Sequence, residues 1–236
     1  MRLKISSAVF GIVYLLFVLM DLLAIYAAIH VYRCITKPLI MFSLIVWVVF
    51  CKSKLSDMLK KQMVLALVFS LLGDVFLLFD AYSNLYFLAG LFSFLCAHLS
   101  YIFIFWKKRG RKKKQYFLIL MTLYGVGLYS FLFPYLGEMR YPVLVYTLVI
   151  LMMGLTAYHR RNEAFISYKK VMIGVILFII SDSILAVRLF VVDFFMVDYL
   201  VMITYALAQF FIIFGILAQE DKDFGRYQGK ITKEMK

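Results

Sequence analysis

The sequence has few of the features that organise a soluble or secreted protein. It holds three cysteines, Cys34, Cys51 and Cys96, odd in number and without a metal-type spacing, so neither a disulfide framework nor a cysteine-based metal site is expected. Its three histidines, at positions 30, 98 and 159, are too far apart along the chain to meet at one ion if the chain crosses a membrane as argued below. That excludes a three-histidine zinc centre, and no cofactor is implied. No Pro/Gly-rich linker or low-complexity tract divides the chain, apart from a basic run and a polar tail from Glu220. One domain over 1–219 with a basic tail over 220–236 is expected. A cleavable leader is not expected either, because the first apolar run is too long for a signal core and lacks a small-residue cleavage site.

Hydrocarbon fills the space. Hydrophobic residues make up 65% of the chain and the mean hydropathy is +0.92, well above the roughly half-apolar make-up of soluble domains. Crossing about 30 Å of bilayer takes roughly 20 apolar residues. Eight runs qualify, at 6–29, 38–51, 62–79, 85–106, 115–136, 141–158, 170–192 and 198–217, the second being the shortest. The fold expected is all-α, a polytopic bundle of eight transmembrane helices.

Charge orients the bundle. Lys and Arg number two before the first span, four in 51–61, seven in KKRGRKKK at 107–114, four in 159–170 and five after 217. The alternate connections carry only Arg33, Lys37 and Arg140, with Arg188 inside a span. The positive-inside rule then puts both termini in the cytoplasm, whether of a bacterial inner membrane or an endoplasmic reticulum. The formal net charge of +13 is mostly this topology signal, so nucleic acid is not expected as a partner, whereas contact with anionic headgroups is.

The polar residues that no loop explains are Asp21, Asp74, His98, Asp182, Arg188 and Gln209, with Tyr101, Tyr124, Tyr146 and Tyr205 beside them. A charge at a span centre costs about 2.5–3.5 kcal/mol on insertion scales, which makes such residues functional candidates. At about 1.5 Å per residue, Asp74 lies roughly 8 Å below the outer surface and Asp182 about 15 Å. Asp21, Tyr205 and Gln209 fall roughly 10–16 Å down and His98 nearer 20 Å, forming one polar layer. Helical spacing puts Gly90, Phe94, His98 and Tyr101 on one stripe, Tyr205 with Gln209, and Ser70 with Asp74. Arg188 is about 240° round the helix from Asp182, so each needs partners on other spans.

Gly73-Asp74-Val75-Phe76-Leu77 and Ser181-Asp182-Ser183-Ile184-Leu185 both read small-Asp-x-x-Leu. A parallel duplication of four plus four spans is a possible source of that echo and would set the two carboxylates opposite one another.

Several strings together resemble the YhhN family of eight-span membrane proteins. They are FSLLGD at 69–74; the spacing of Phe87, Gly90, Phe94, His98 and Tyr101; that of Gly174, Phe178, Ser181, Asp182, Leu185 and Ala186; and that of Tyr205, Ala208 and Gln209. Lys37-Pro38 at the start of the second span is similar to the family as well. Characterised members are lysoplasmalogenases, which hydrolyse the vinyl ether bond of a lysoplasmalogen to a fatty aldehyde and a glycerophospho-headgroup. The resemblance therefore implies a lysophospholipid substrate and water as partners.

The residues suit such chemistry. Vinyl ether hydrolysis begins with proton delivery to the β-carbon, giving an oxocarbenium ion that water captures. Apolar surroundings favour the neutral form of a carboxyl group, which can then act as the acid, while a second carboxylate stabilises the cation or takes the water's proton. Asp74 and Asp182 are expected in these two roles, in either order. His98, Tyr101, Tyr205 and Gln209 are expected to position water and hold the pair, with Ser181 and Asp21 in support. Lys37 and Arg188, toward the outer ends of their spans, are candidates for the phosphate, against snorkelling to the interface as the alternative for Lys37. Two other functions fit the same residues: a small proton-coupled transporter, and a lipid-binding protein without hydrolase activity.

Overall fold

The structure is a computed structural model and describes residues 6–51, 53, 55–106, 115–160 and 165–218. The basic run 107–114, the tail 220–236 and the residues Arg2 and Lys4 lie outside the described residues. Eight long helices make up the fold, and no strand occurs among the described residues. They are α1 (Ser7–Tyr26), α2 (His30–Phe50), α3 (Asp57–Leu77), α4 (Asn84–Trp106), α5 (Tyr116–Leu132), α6 (Arg140–Tyr158), α7 (Phe165–Phe190) and α8 (Val197–Leu217). Serines start two of them: Ser6 Oγ accepts from the Val9 amide and Ser56 Oγ from that of Leu59. Seven are long and apolar enough to cross a membrane. The exception, α3, has the length, but Asp57, Lys60, Lys61 and Asp74 lower its apolar content.

The second helix differs from the expected span. It runs from His30 rather than from 38, with Pro38 inside it. Proline removes one helical N–H but does not end this helix. Arg33 and Lys37 therefore belong to the helix and not to a connection, one turn apart on the same face.

Lipid offers no hydrophobic force between helices, so close packing and polar contacts hold them together. Glycine provides the closest approaches. A Cβ at Gly73 would stand 2.6 Å from the Phe94 ring and one at Gly90 2.8 Å from Leu77 Cδ2, which brings α3 and α4 together. Similarly, a Cβ at Gly174 would meet the Ala208 carbonyl oxygen at 2.7 Å and one at Gly215 the Val171 nitrogen at 2.8 Å, joining α7 to α8. Around these two pairs, α2 packs on α1 and α3, α6 on α4, α5 and α7, and α1 also on α8. On the periphery α5 buries only Gly125 and Leu132. Each half is packed in chain order, but the halves meet unevenly, α6 against α4 far more than α2 against α8.

The connections 27–29, 78–83, 133–139 and 191–196 share one end of the bundle, the distal end, opposite Ser7 and Leu217. Met196, in the left-handed region at φ 67°, turns the last of these into α8 and brings Asp198 into its first turn.

Candidate functional site: two carboxylates in a polar cavity beside an apolar groove

At the distal end α2, α3, α7 and α8 enclose a cavity of about 310 Å³. Lys37, Asp74, Asp182, Arg188 and Tyr205 line it, together with Arg33 and Asp198. Beside it an apolar groove runs between α4, α5, α6 and α7, walled by Phe87, Leu91, Leu128, Val143 and Phe190 among others. Leu77, Phe94, Asp182 and Leu185 line both spaces. Asp182 is thus the acidic residue at the junction of a charged chamber and a hydrocarbon-lined one.

Asp74 is almost sealed, with 2% of its side chain exposed. Its Oδ1 lies 3.5 Å from Lys37 Nζ, and Tyr205 Oη donates to its Oδ2 at 2.8 Å. Tyr205 reaches it because α8 packs against α7 with its Tyr205 face turned to α3. The Tyr205 and Phe94 rings meet edge to face at 5.8 Å, which closes the wall between the carboxylate and α4.

Asp182 has different partners. Tyr146 Oη donates to its Oδ2 at 2.5 Å, and His98 Nε2 lies 2.9 Å from the same hydroxyl and 3.4 Å from Oδ2. The hydroxyl's one proton goes to the carboxylate, so it must accept from His98, which makes Nε2 the protonated nitrogen. His98 Nδ1 is buried without a hydrogen-bond partner. The Phe178 ring stacks edge-on at 4.8 Å from the imidazole and fixes its tilt.

The other expected residues are placed as follows. Tyr101 Oη donates to Gln209 Oε1 at 2.6 Å, and Gln209 Nε2 donates to Ser70 Oγ at 2.9 Å. That chain ties α4, α8 and α3 together one turn below Asp74 and does not touch either carboxylate. Ser181 Oγ donates to the Val201 carbonyl at 3.0 Å, an α7–α8 tie, although the residue lines the cavity. Asp21 is wholly buried outside the cavity, where Thr36 Oγ1 donates to its Oδ1 at 2.6 Å and its Oδ2 has no hydrogen-bond partner. Arg188 finds Asp198, with Nη1 3.1 Å from Oδ1, and Arg33 Nη1 is 3.6 Å from the other oxygen of that carboxylate.

Arg33 and Asp198 are not among the expected site residues, and Tyr146, one of the tyrosines beside the polar residues of the spans, has no expected role there. Starting the second span at 38 turned Arg33 into a loop residue. Read as helix from His30, the spacing of His30, Arg33 and Lys37 would have put all three on one face. Asp198 was hidden at the very start of a span, and Tyr146 has no local signal beyond an apolar helix around it.

No curated protein and no solved structure matches the chain. The YhhN family model matches residues 32–216, more than three quarters of the sequence, and takes in Lys37, Asp74, His98, Tyr146, Asp182 and Arg188. The chain belongs to the YhhN family.

Proposed function

We propose that the protein is a lysoplasmalogenase that cleaves the vinyl ether bond of a single-chain alkenyl phospholipid by carboxyl acid and base catalysis. The observation that carries this reading is Asp182 at the junction of the charged cavity and the apolar groove. An amphiphile lying across that junction has its chain in the groove and its phosphate near the guanidinium groups. Its ether linkage, between the two, falls beside the carboxyl group. Family membership supports a role of this type. With the positive-inside orientation expected from the sequence, the distal end faces the outer surface, and the groove gives an alkenyl chain lateral access from the bilayer.

The surroundings divide the roles. Lys37 is paired with Asp74, so Asp74 serves as the anion. Asp182 has no Lys or Arg partner among the described residues, and Tyr146 occupies its Oδ2, which leaves the second oxygen to carry the proton. Asp182 donates that proton to the β-carbon; the C=C π pair forms the new C–H bond and the ether oxygen stabilises the resulting oxocarbenium ion. Water adds to the α-carbon, the one bonded to the ether oxygen, and gives a proton to Asp74. The hemiacetal then collapses: its hydroxyl proton returns to Asp182, its C–O bond to glycerol breaks, and the glycerol oxygen takes the proton from Asp74. The sum is addition of one water, giving an aldehyde and an alcohol, with both carboxyl groups restored. Tyr146 and His98 act through Asp182 as positioning residues.

Incubating the purified protein with lysoplasmenyl-ethanolamine in D2O tests the reaction. The expected product is a fatty aldehyde with a single deuterium on the carbon next to the carbonyl, trapped before exchange, together with a glycerophospho-headgroup. An intact protein that releases no aldehyde from either the ethanolamine or the choline lipid would overturn the proposal.

A further inference from the structure

The polar cavity holds four carboxylates, Asp74, Asp80, Asp182 and Asp198, and three of them are engaged. Lys37 pairs with Asp74, His98 and Tyr146 hold Asp182, and Arg33 and Arg188 grip Asp198 from both sides. Asp80 alone of the four has no ion pair or side-chain hydrogen bond among the described residues. It sits in a 3-10 turn at Asp80–Tyr82 on the distal rim and is half-buried. On the other side of the ledger, two guanidinium groups share one carboxylate, so the Arg33–Asp198–Arg188 cluster keeps a net positive charge. Arg33 Nε is a buried donor without an acceptor.

One chamber thus offers a positive cluster with an unused donor and, separately, an unpaired carboxylate. A ligand carrying one negative and one positive group matches both. A phosphate monoester without an amine satisfies the arginines but adds like charge beside Asp80, and an unpaired carboxylate in a partly enclosed cavity makes that costly.

We propose that Asp80 is a headgroup-selecting residue: Arg33 and Arg188 hold the phosphodiester of a lysophospholipid while Asp80 pairs with the ammonium of its ethanolamine- or choline-type headgroup. This rests on the lysophospholipid reading of the site above. The carboxylates that carry the chemistry lie deeper than Asp80, so the residue sets which headgroup is held and not whether the bond is cut.

The test separates the two readings by measuring binding without turnover. Saturated 1-O-alkyl lysophospholipids have no vinyl ether to cleave. Equilibrium binding in mixed micelles would compare the phosphocholine and phosphoethanolamine forms with the 1-O-alkyl-glycerol 3-phosphate of equal chain length. Wild type should prefer the zwitterions by about tenfold, the scale of one partly buried charge pair. Asp80→Asn should bring that ratio close to one, while Arg33→Gln should weaken all three ligands and leave the ratio nearly as in wild type. An unchanged zwitterion-to-phosphate ratio in folded Asp80→Asn, matched to wild type by thermal midpoint, would overturn the proposal. So would equal binding of all three lipids by wild type. Binding with this selectivity but without aldehyde release from the vinyl ether lipids would keep the headgroup assignment and sink the hydrolase.

Discussion

Replacing Tyr146 with phenylalanine removes one oxygen and keeps the ring. That oxygen donates to Asp182 at 2.5 Å and accepts from His98 at 2.9 Å, so its loss breaks two bonds at once and leaves His98 facing Asp182 at 3.4 Å. The T-shaped packing of the ring on the imidazole, with centroids 5.3 Å apart, survives the change. Asp182 becomes an anion as it gives up its proton, and a hydrogen bond to a charged group is worth about 1.5–3 kcal/mol, which corresponds to roughly a 10- to 150-fold loss of rate. The cavity residues that would hold the headgroup are untouched, so the loss should appear in kcat, with KM nearly unchanged. Steady-state aldehyde release, with thermal unfolding measured on the same preparation, checks this. A folded Tyr146→Phe protein within twofold of the wild-type kcat would refute the positioning role. The double variant Tyr146→Phe/His98→Gln should be little worse than Tyr146→Phe alone, because His98 acts through that hydroxyl.

Breaking the Lys37–Asp74 pair with Lys37→Met should destabilise the protein by up to about 3–5 kcal/mol and abolish activity, whereas Lys37→Met/Asp74→Asn should recover much of the thermal midpoint without the activity. Gly174→Ala should cost about 1–3 kcal/mol, because its Cβ would press on α8 backbone, while Gly127→Ala, with nothing within 4 Å, should leave the thermal midpoint unchanged or slightly higher. Leu128→Trp narrows the apolar groove and should raise KM for long-chain substrates more than for an eight-carbon chain, read from initial rates across a chain-length series.

The membrane-spanning bundle could be read directly from the sequence, because a helix that meets lipid must carry about 20 apolar residues whatever it packs against. The polar layer was visible for the same reason: Asp74 and Asp182 stand out only against hydrocarbon. Periodicity also put Ser70 and Asp74 on one face of α3, and Tyr205 and Gln209 on one face of α8, and these two faces bond to each other. What stayed hidden depends on distance between helices. Tyr101 and His98 share a stripe on α4, yet one turns to Gln209 and the other to Tyr146, a choice made by which neighbour lies across the gap. Arg33 was lost to a boundary, since Pro38 looks like the start of a helix and here sits inside one. Arg160, wholly buried under the Phe105 ring, resembled any other basic residue of a connection.

In the proposed reaction the buried Asp74 and the half-buried Asp182 move the protons of vinyl ether hydrolysis, Asp182 to carbon and Asp74 from water. Single-turnover aldehyde release from lysoplasmenyl-ethanolamine by wild type, Asp74→Asn and Asp182→Asn, each shown to be folded, tests it most directly. Rapid release by wild type and a loss of at least about 1000-fold in each variant, with lipid binding retained, are expected. Release by either variant at a rate near that of wild type would contradict the mechanism, and absence of aldehyde from all three would leave proton-coupled transport as the function to pursue.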